Sequence, residues 1–250
     1  MPGAAALDLV LPAEAYRVLL VLCRVSAALM LLPGYGDGGV PVRIRIMAAL
    51  GMALCVAPSL PAQPVPGIWG IAGAVVAESA VGIVLGTLSR IVIAAVQIAG
   101  QVIGQCIGVS NVFSGGMGFD SAATLGAAIQ AGCVALIFAG GIHHAALRAL
   151  AESYGRFPPG ALPEIDRTAG LVTQAVGEAF RLSLQLSLPF LLLALLFNLA
   201  LAGINRALPM VPVFMIGAPA LLLAGLHLLS AAVPGLLGEA MGAYAALFQP

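Results

Sequence analysis

The chain has 250 residues, of which 61% are hydrophobic and only 8% are charged. Soluble domains carry about 25% charged residues, so this composition excludes large soluble domains and indicates an integral membrane protein. Ten arginines balance ten acidic residues, and there is no lysine. A net charge of zero without a basic run argues against nucleic acid as a partner.

The first part of the chain predicts two helices. Residues 16–32 have the composition of a first membrane helix and include Arg17 and Arg24. A loop rich in glycine and proline follows. A second helix opens at Arg43 and ends near Pro58, which is short for a bilayer that needs ~20 residues. Four prolines then make a stiff, uncharged connection.

Residues 68–109 form one long apolar segment without proline. A single helix of this length would measure roughly 60 Å, about twice the hydrocarbon thickness. Three alternatives are open. The helix breaks near residues 86–90, or it projects beyond the membrane, or it is not placed like an ordinary membrane span.

The second part of the chain predicts three further helices. They cover residues 122–150, 173–204 and 213–233, and a polar loop over residues 152–170 separates the first two. The fold class is therefore all-α, with about six hydrophobic helical segments arranged as hairpins and one long helix over about residues 68–109. No internal repeat is visible.

A polar stripe runs along the long apolar segment at helical spacing. Its members recur three or four residues apart, which places them on one face of a helix. In the second half of the segment they are Gln97, Gly100, Gln101, Gly104, Gln105 and Gly108. Glycines allow a second backbone to come close, and glutamines require partners. We expect this face to contact other subunits or to line a pore.

Glu78 and Arg90 are charged residues inside the same apolar segment. Each costs ~2.5–3.5 kcal/mol on insertion into a bilayer and therefore needs a partner or water. Twelve residues apart, they are too distant to pair with each other on one helix. Either they belong to a pathway or an assembly contact, or each forms a structural ion pair with a neighbouring subunit.

The loop over residues 110–121 directly follows the stripe. Glycines give it mobility, and its apolar side chains are suited to a compressible seal. These side chains are Val112, Phe113, Met117 and Phe119. The alternative is an ordinary loop that packs onto the helices.

Catalytic and metal-binding interpretations have weaker support. Ser110 with His143 or His144 allows a rhomboid-like serine protease, but a serine and a histidine in one chain are a weak signal. Adjacent histidines point to different faces of a helix, so we expect His143, His144 and His227 to be buried, hydrogen-bonded histidines. The four cysteines form no C-x-x-C pair. We predict no catalytic, metal or cofactor site.

Several motifs, taken in order, resemble those of one known family. They are residues 33–36 (PGYG), 40–45 (VPVRIR), Glu78 with Gly82 and Gly86, 100–110 (GQVIGQCIGVS), 140–144 (GGIHH), Ser153 with 158–160 (PPG), Pro189, and 206–219 (RALPMVPVFMIGAP). Together they are similar to the FliR-type export-gate proteins of the bacterial flagellar type III secretion apparatus. The resemblance covers nearly the whole chain.

The resemblance implies a non-enzymatic subunit of a helical, multi-subunit export gate in the bacterial inner membrane, at the flagellar basal body. One R-type copy would assemble with P-type, Q-type and B-type subunits, and unfolded flagellar proteins would pass through the central pore. Residues 1–250 would form one membrane domain. About residues 1–165 would resemble a P-type subunit, and about residues 166–250 a Q-type subunit.

By position, the resemblance makes residues 110–121 the plug of the channel. Glu78, Arg90 and Arg206 are predicted to make polar contacts between subunits. Alternatives are an injectisome T-type export subunit, a small-molecule membrane transporter, and the rhomboid-like protease.

Overall fold

The computed structural model describes residues 2–61, 63–109, 121–207 and 213–248. Within these ranges the chain is helical and contains no strand. The helices are α1 (Pro2–Leu31), α2 (Val42–Val56), α3 (Ile68–Cys106), α4 (Ser121–Ala139), α5 (His143–Glu152), α6 (Ile165–Ala207) and α7 (Val213–Ala246). Short 3₁₀ turns cover Ala57–Ser59 and Ser153–Gly155.

Four described segments are long and apolar enough to cross a membrane. They are Val42–Ser59, Ile68–Cys106, Ile165–Ala207 and Gly217–Ala246. Ala123–Ala139 and His143–Gly155 pass the same criterion together, as a broken pair. The all-α membrane class predicted from composition is therefore confirmed. The first predicted segment lies in α1, whose charges Glu14, Arg17 and Arg24 keep its described part out of this set.

Helix α3 is continuous over 39 residues, so the predicted long helix is present and does not break at residues 86–90. It ends where Gly108 adopts a φ of 79°. This left-handed conformation is common just after a helix and costs glycine no strain.

The later helices extend beyond their predicted ends. Helix α6 begins at Ile165, inside the predicted polar loop, and Asp166 in its first turn is favourable for the helix dipole. Helix α7 continues through Pro234 to Ala246. The buried residues Leu236, Ala240 and Tyr244 recur every fourth position beyond this proline, so packing maintains the helix there.

The chain forms two compact units, each built from separate segments. Unit 1 comprises residues up to Arg90 and Gly141–Ala175. Unit 2 comprises Ile91–Gly140 and Val176–Gln249. The predicted halves at about residue 165 concern likeness to other subunit types, and they stay a prediction.

In unit 1, α1 and the first part of α3 run in parallel. Tyr16 and Leu20 cluster with Ala74 near the start of α3. Further along, Gly82 and Gly86 lie against α1. A Cβ atom on Gly82 would stand 2.3 Å from the carbonyl oxygen of Arg24. Glycine is therefore required at Gly82 for the two backbones to approach.

In unit 2, the second part of α3 packs closely against α4. A Cβ atom on Gly100 would lie 2.6 Å from the Cα of Gly126. One on Gly126 would lie 2.6 Å from the carbonyl oxygen of Gln97. Helix α4 also packs on α7. The close approach that the glycine spacing predicts is thus made at Gly100.

Candidate functional site

Among the described residues, the most polar buried site lies in unit 1, between α1 and α3. Arg24 and Glu78 both have 0% exposed side chains. The Nε atom of Arg24 donates to Oε2 of Glu78 at 2.7 Å, and one terminal nitrogen donates to Oε1 at 3.1 Å. The guanidinium and the carboxylate therefore meet in the two-pronged geometry that gives the strongest such pairs.

The segment after α5 supplies the remaining partners of Arg24. The guanidinium donates to the hydroxyl of Ser153 at 3.1 Å and to the carbonyl of Phe157 at 3.0 Å. Its central carbon lies 3.8 Å from the ring centroid of Tyr154, a cation–π position. Arg24 thus ties residues 153–157 to α1.

Glu78 binds the same segment at Gly160, a few residues after the partners of Arg24. The amide of Gly160 donates to Oε1 of Glu78 at 2.7 Å. Gly160 has a φ of 75°, a conformation that other residues adopt only with strain. Glycine at this position lets the backbone turn its N–H toward the carboxylate.

In this site the positive charge of Arg24 is balanced by the negative charge of Glu78, and both groups have hydrogen-bond partners. A buried ion pair offsets its desolvation cost only when its geometry is good and its other donors and acceptors are satisfied. Both conditions hold here, since Arg24 has three kinds of acceptor and Glu78 has an additional amide donor. The network joins three segments distant in sequence, and its chemistry is that of a structural tie.

The structure places Glu78 differently from the sequence prediction. Glu78 has no exposed surface, and its charge is satisfied by Arg24 of the same chain. The sequence correctly indicated that Glu78 needs a partner. That partner is Arg24 of the same chain and not a residue of a neighbouring subunit. Arg24 was visible as a charge inside an apolar segment, which was the available signal.

Arg90 and Arg206 lie on the surface, as a subunit contact requires. Both are exposed, and neither forms an ion pair among the described residues. Their predicted contacts with other subunits stay predictions.

The glycines and glutamines of the stripe separate in the structure. Gly100 and Gly104 are buried, Gln97 and Gln101 are half-buried, and Gln105 is exposed. Gly108 ends the helix. The glutamine side therefore has surface available for a pore or a neighbouring subunit.

The predicted plug residues lie outside the described residues. This holds for Val112, Phe113, Met117 and Phe119, and also for Ser110 of the protease alternative.

The histidines do not match the sequence expectation. His144 and His227 are exposed, so the expectation of buried histidines was wrong for both. Nδ1 of His144 lies 3.1 Å from the carbonyl oxygen of Gly141. The described part of the chain holds no group of three or more histidine, cysteine or acidic residues that could bind a metal.

These features define an α-helical integral membrane protein that has several membrane-length helices and a buried charge pair. Residues 15–246 match the family model of bacterial export proteins, family 1. The chain is 31% identical over 227 residues to the flagellar biosynthetic protein FliR of Caulobacter vibrioides, a match that covers 89% of this chain and 90% of that protein. FliR of Escherichia coli (strain K12) is 30% identical over 225 residues, with 85% and 82% covered.

FliR of Aquifex aeolicus is 29% identical over 221 residues, with 87% and 85% covered. The chain therefore belongs to family 1 of the bacterial export proteins, and within it to the FliR type of flagellar export protein. The resemblance seen in the sequence motifs is confirmed. Between the flagellar and injectisome systems, these relatives support the flagellar one.

Proposed function

We propose that this chain is the R-type subunit of the flagellar type III export gate, in the bacterial inner membrane at the basal body. It forms part of the channel wall and is not an enzyme. The observation that carries the proposal is a polar line on residues 90–106 of α3, a part of the helix that is otherwise apolar. Arg90 and Gln105 are exposed, and Gln97 and Gln101 are half-buried. Polar groups on such a helix require water or partner groups.

The partners proposed are P-type, Q-type and B-type subunits, with one R-type copy in each gate. Helix α6 supports this proposal, because much of its surface is apolar and exposed. The leucines of this surface are Leu184, Leu188, Leu191, Leu192, Leu195, Leu196 and Leu199. An extended apolar surface favours contact with lipid or with another helix. About residues 1–165 would be the half similar to a P-type subunit, and about residues 166–250 the half similar to a Q-type subunit.

The cargo proposed is unfolded exported protein, and the plug proposed is the loop over residues 110–121. Support for the plug comes from its position directly after the polar line and from its glycine, phenylalanine and methionine content. Soft side chains such as methionine fill irregular gaps, which suits a seal that opens for cargo.

Co-expression with the partner subunits tests this function. The full chain and the P-type, Q-type and B-type proteins of one bacterium are produced together, extracted in mild detergent and weighed by native mass spectrometry. We expect a mixed complex that contains one copy of this chain. A chain recovered only as a monomer or homodimer would refute the gate proposal and favour a transporter.

Surface variants refine the same experiment. Arg90→Ala and Gln105→Ala should lower the recovery of the mixed complex while the isolated chain stays folded. Arg181→Ala is the matched control, because Arg181 is also exposed on a long helix but is paired with Glu178. Equal recovery for all three variants would exclude the proposed contacts.

A further inference from the structure

One face of α3 in unit 1 carries exposed residues at intervals from residue 69 to residue 90. Its exposed positions Trp69, Val76, Ile83 and Arg90 recur every seven residues, which keeps them on one side of the helix, and Ala80 and Thr87 between them are half-buried. Trp69 is 88% exposed, Val76 62% and Ile83 51%. Between the two ends this face carries no charge, and the opposite face holds the buried Glu78. This outward face of α3 is therefore apolar between two end residues of a different kind.

The distance between these two ends is close to the thickness of the hydrocarbon core of a bilayer. Trp69 and Arg90 are 21 residues apart on one continuous helix, which corresponds to ~32 Å at 1.5 Å per residue. The hydrocarbon core of a bilayer is ~30 Å thick. Tryptophan is enriched at the boundary between hydrocarbon and water, and arginine reaches toward the same boundary from helix ends.

The connection that precedes Trp69 is uncharged and leaves few backbone donors to be satisfied, which fits the edge of a bilayer. No residue from 46 to 77 is charged. Pro58, Pro61, Pro64 and Pro66 have no backbone N–H to satisfy. The amide of Leu60 donates to Ala57, and the carbonyl of Leu60 accepts from Arg17. Backbone groups near the hydrocarbon need such internal partners.

Charged groups gather at the level of Arg90. Because α1 runs parallel to α3 and Leu31 lies beside Gly86, the loop after α1 is at this level. Asp37 lies in this loop, and Arg45 donates to its carbonyl oxygen at 2.8 Å. The level of Arg90 therefore has the charged character of a headgroup region.

The buried pair fits the same frame. Glu78 lies nine residues after Trp69 and twelve before Arg90, or ~14 Å and ~18 Å along the helix. It is thus near the middle of the span, where an unpaired charge is most costly. Full burial against Arg24 removes both charges from contact with lipid.

We infer that the chain, before assembly, sits in the bilayer with Trp69 at one headgroup boundary and Arg90 at the other. The outward face of α3 between them contacts the acyl chains. At headgroup level Arg90 is also accessible to a neighbouring subunit, so this placement is compatible with later assembly.

The sole tryptophan of the chain makes a direct test available, because intrinsic emission reports on Trp69 alone. The full chain is reconstituted without partners into phosphatidylethanolamine and phosphatidylglycerol vesicles that contain lipids brominated at a shallow or a deep acyl position. Two variants move the probe along the same face, Trp69→Phe with Val76→Trp and Trp69→Phe with Thr87→Trp.

Shallow bromines should cause the larger loss of emission for Trp69 and for the probe at position 87. Deep bromines should cause the larger loss for the probe at position 76. The same depth order at all three positions would overturn the inference. So would quenching by aqueous iodide without quenching by brominated lipid, or protection from both quenchers, which would show that protein covers this face.

Discussion

The Nε atom of Arg24 lies 2.7 Å from Oε2 of Glu78, and neither side chain has any exposed surface. Fifty-four residues separate the two in sequence. The pair holds α1 against α3, and through Gly160 it also holds the segment after α5. The stability of unit 1 therefore depends on neither charge being left buried without the other.

Removing one charge should be more harmful than removing both. Arg24→Met leaves Glu78 buried without its cation, and we expect a loss of ~3–5 kcal/mol in the free energy of unfolding. Arg24→Met combined with Glu78→Met should lose less, because no unpaired charge remains. Thermal unfolding of the purified chain in detergent measures the three proteins side by side.

An exposed ion pair provides the control for this comparison. Glu178→Gln breaks the ion pair with Arg181. The side chains of Glu178 and Arg181 are 62% and 69% exposed, so this change should cost no more than ~1 kcal/mol.

Glu78→Ala should also reduce recovery with partner subunits, through misfolding of unit 1. A double variant less stable than Arg24→Met would contradict the coupling of the two charges.

Gly82→Ala should weaken the packing of α1 on α3. The new methyl group would stand 2.3 Å from the carbonyl oxygen of Arg24 and 2.9 Å from the Cβ of Ala27. Backbone cannot move away as a flexible side chain can, so we expect a loss of ~1–3 kcal/mol. Gly73→Ala on the same helix has no neighbour within 4 Å and should be neutral or stabilising by up to ~1 kcal/mol. Similar unfolding midpoints for the two variants would argue against the close approach at Gly82.

Gly126→Ala should separate α4 from α3 in unit 2. Its methyl group would stand 2.6 Å from the carbonyl oxygen of Gln97 and 2.8 Å from the Cγ of Gln101. The expected cost is again ~1–3 kcal/mol, and recovery of the mixed complex should fall because the glutamine side is displaced. Gly132→Ala, on the same helix with open space around it, is the matched control. Both effects are read from the unfolding midpoint and from native mass spectrometry.

Deleting residues 115–118 tests the proposed plug. The shortened loop should leave assembly intact but make the gate leaky, because the seal loses Met117 and three glycines. Conductance of the assembled gate in planar bilayers is the measurement. Deleting Gly38 and Gly39, which have open space around them, is the control loop deletion. Unchanged conductance after removal of residues 115–118 would exclude the plug.

The class of fold was predictable because composition and the length of the apolar segments together determine it. A chain with 8% charged residues and long apolar segments can satisfy its backbone in a membrane only as helices or as a closed barrel. The continuity of α3 was harder to predict, because glycines can either break a helix or allow packing. Gly82 and Gly86 pack against α1, and this contact depends on residues more than fifty positions earlier.

The partner of Glu78 was not predictable from spacing. Periodicity identifies neighbours on one helix, and Arg24 lies on another. The continuation of α7 past Pro234 has a similar explanation, since the burial of Ala240 and Tyr244 depends on tertiary packing. Sequence patterns therefore located the charges and the helices, while the contacts between helices came from the structure.

The amide that Gly160 donates to Glu78 also has a consequence for synthesis of the chain. Glu78 precedes Gly160 by 82 residues in the chain. At ~5–20 residues per second, synthesis of these residues takes ~4–16 s. During that interval the buried charges of Arg24 and Glu78 have only each other as partners. Once α3 packs beside α1, Arg24 and Glu78 neutralise one another. Arrival of residue 160 then completes the hydrogen bonds, and from that point on unit 1 no longer needs the rest of the chain to satisfy its buried charges.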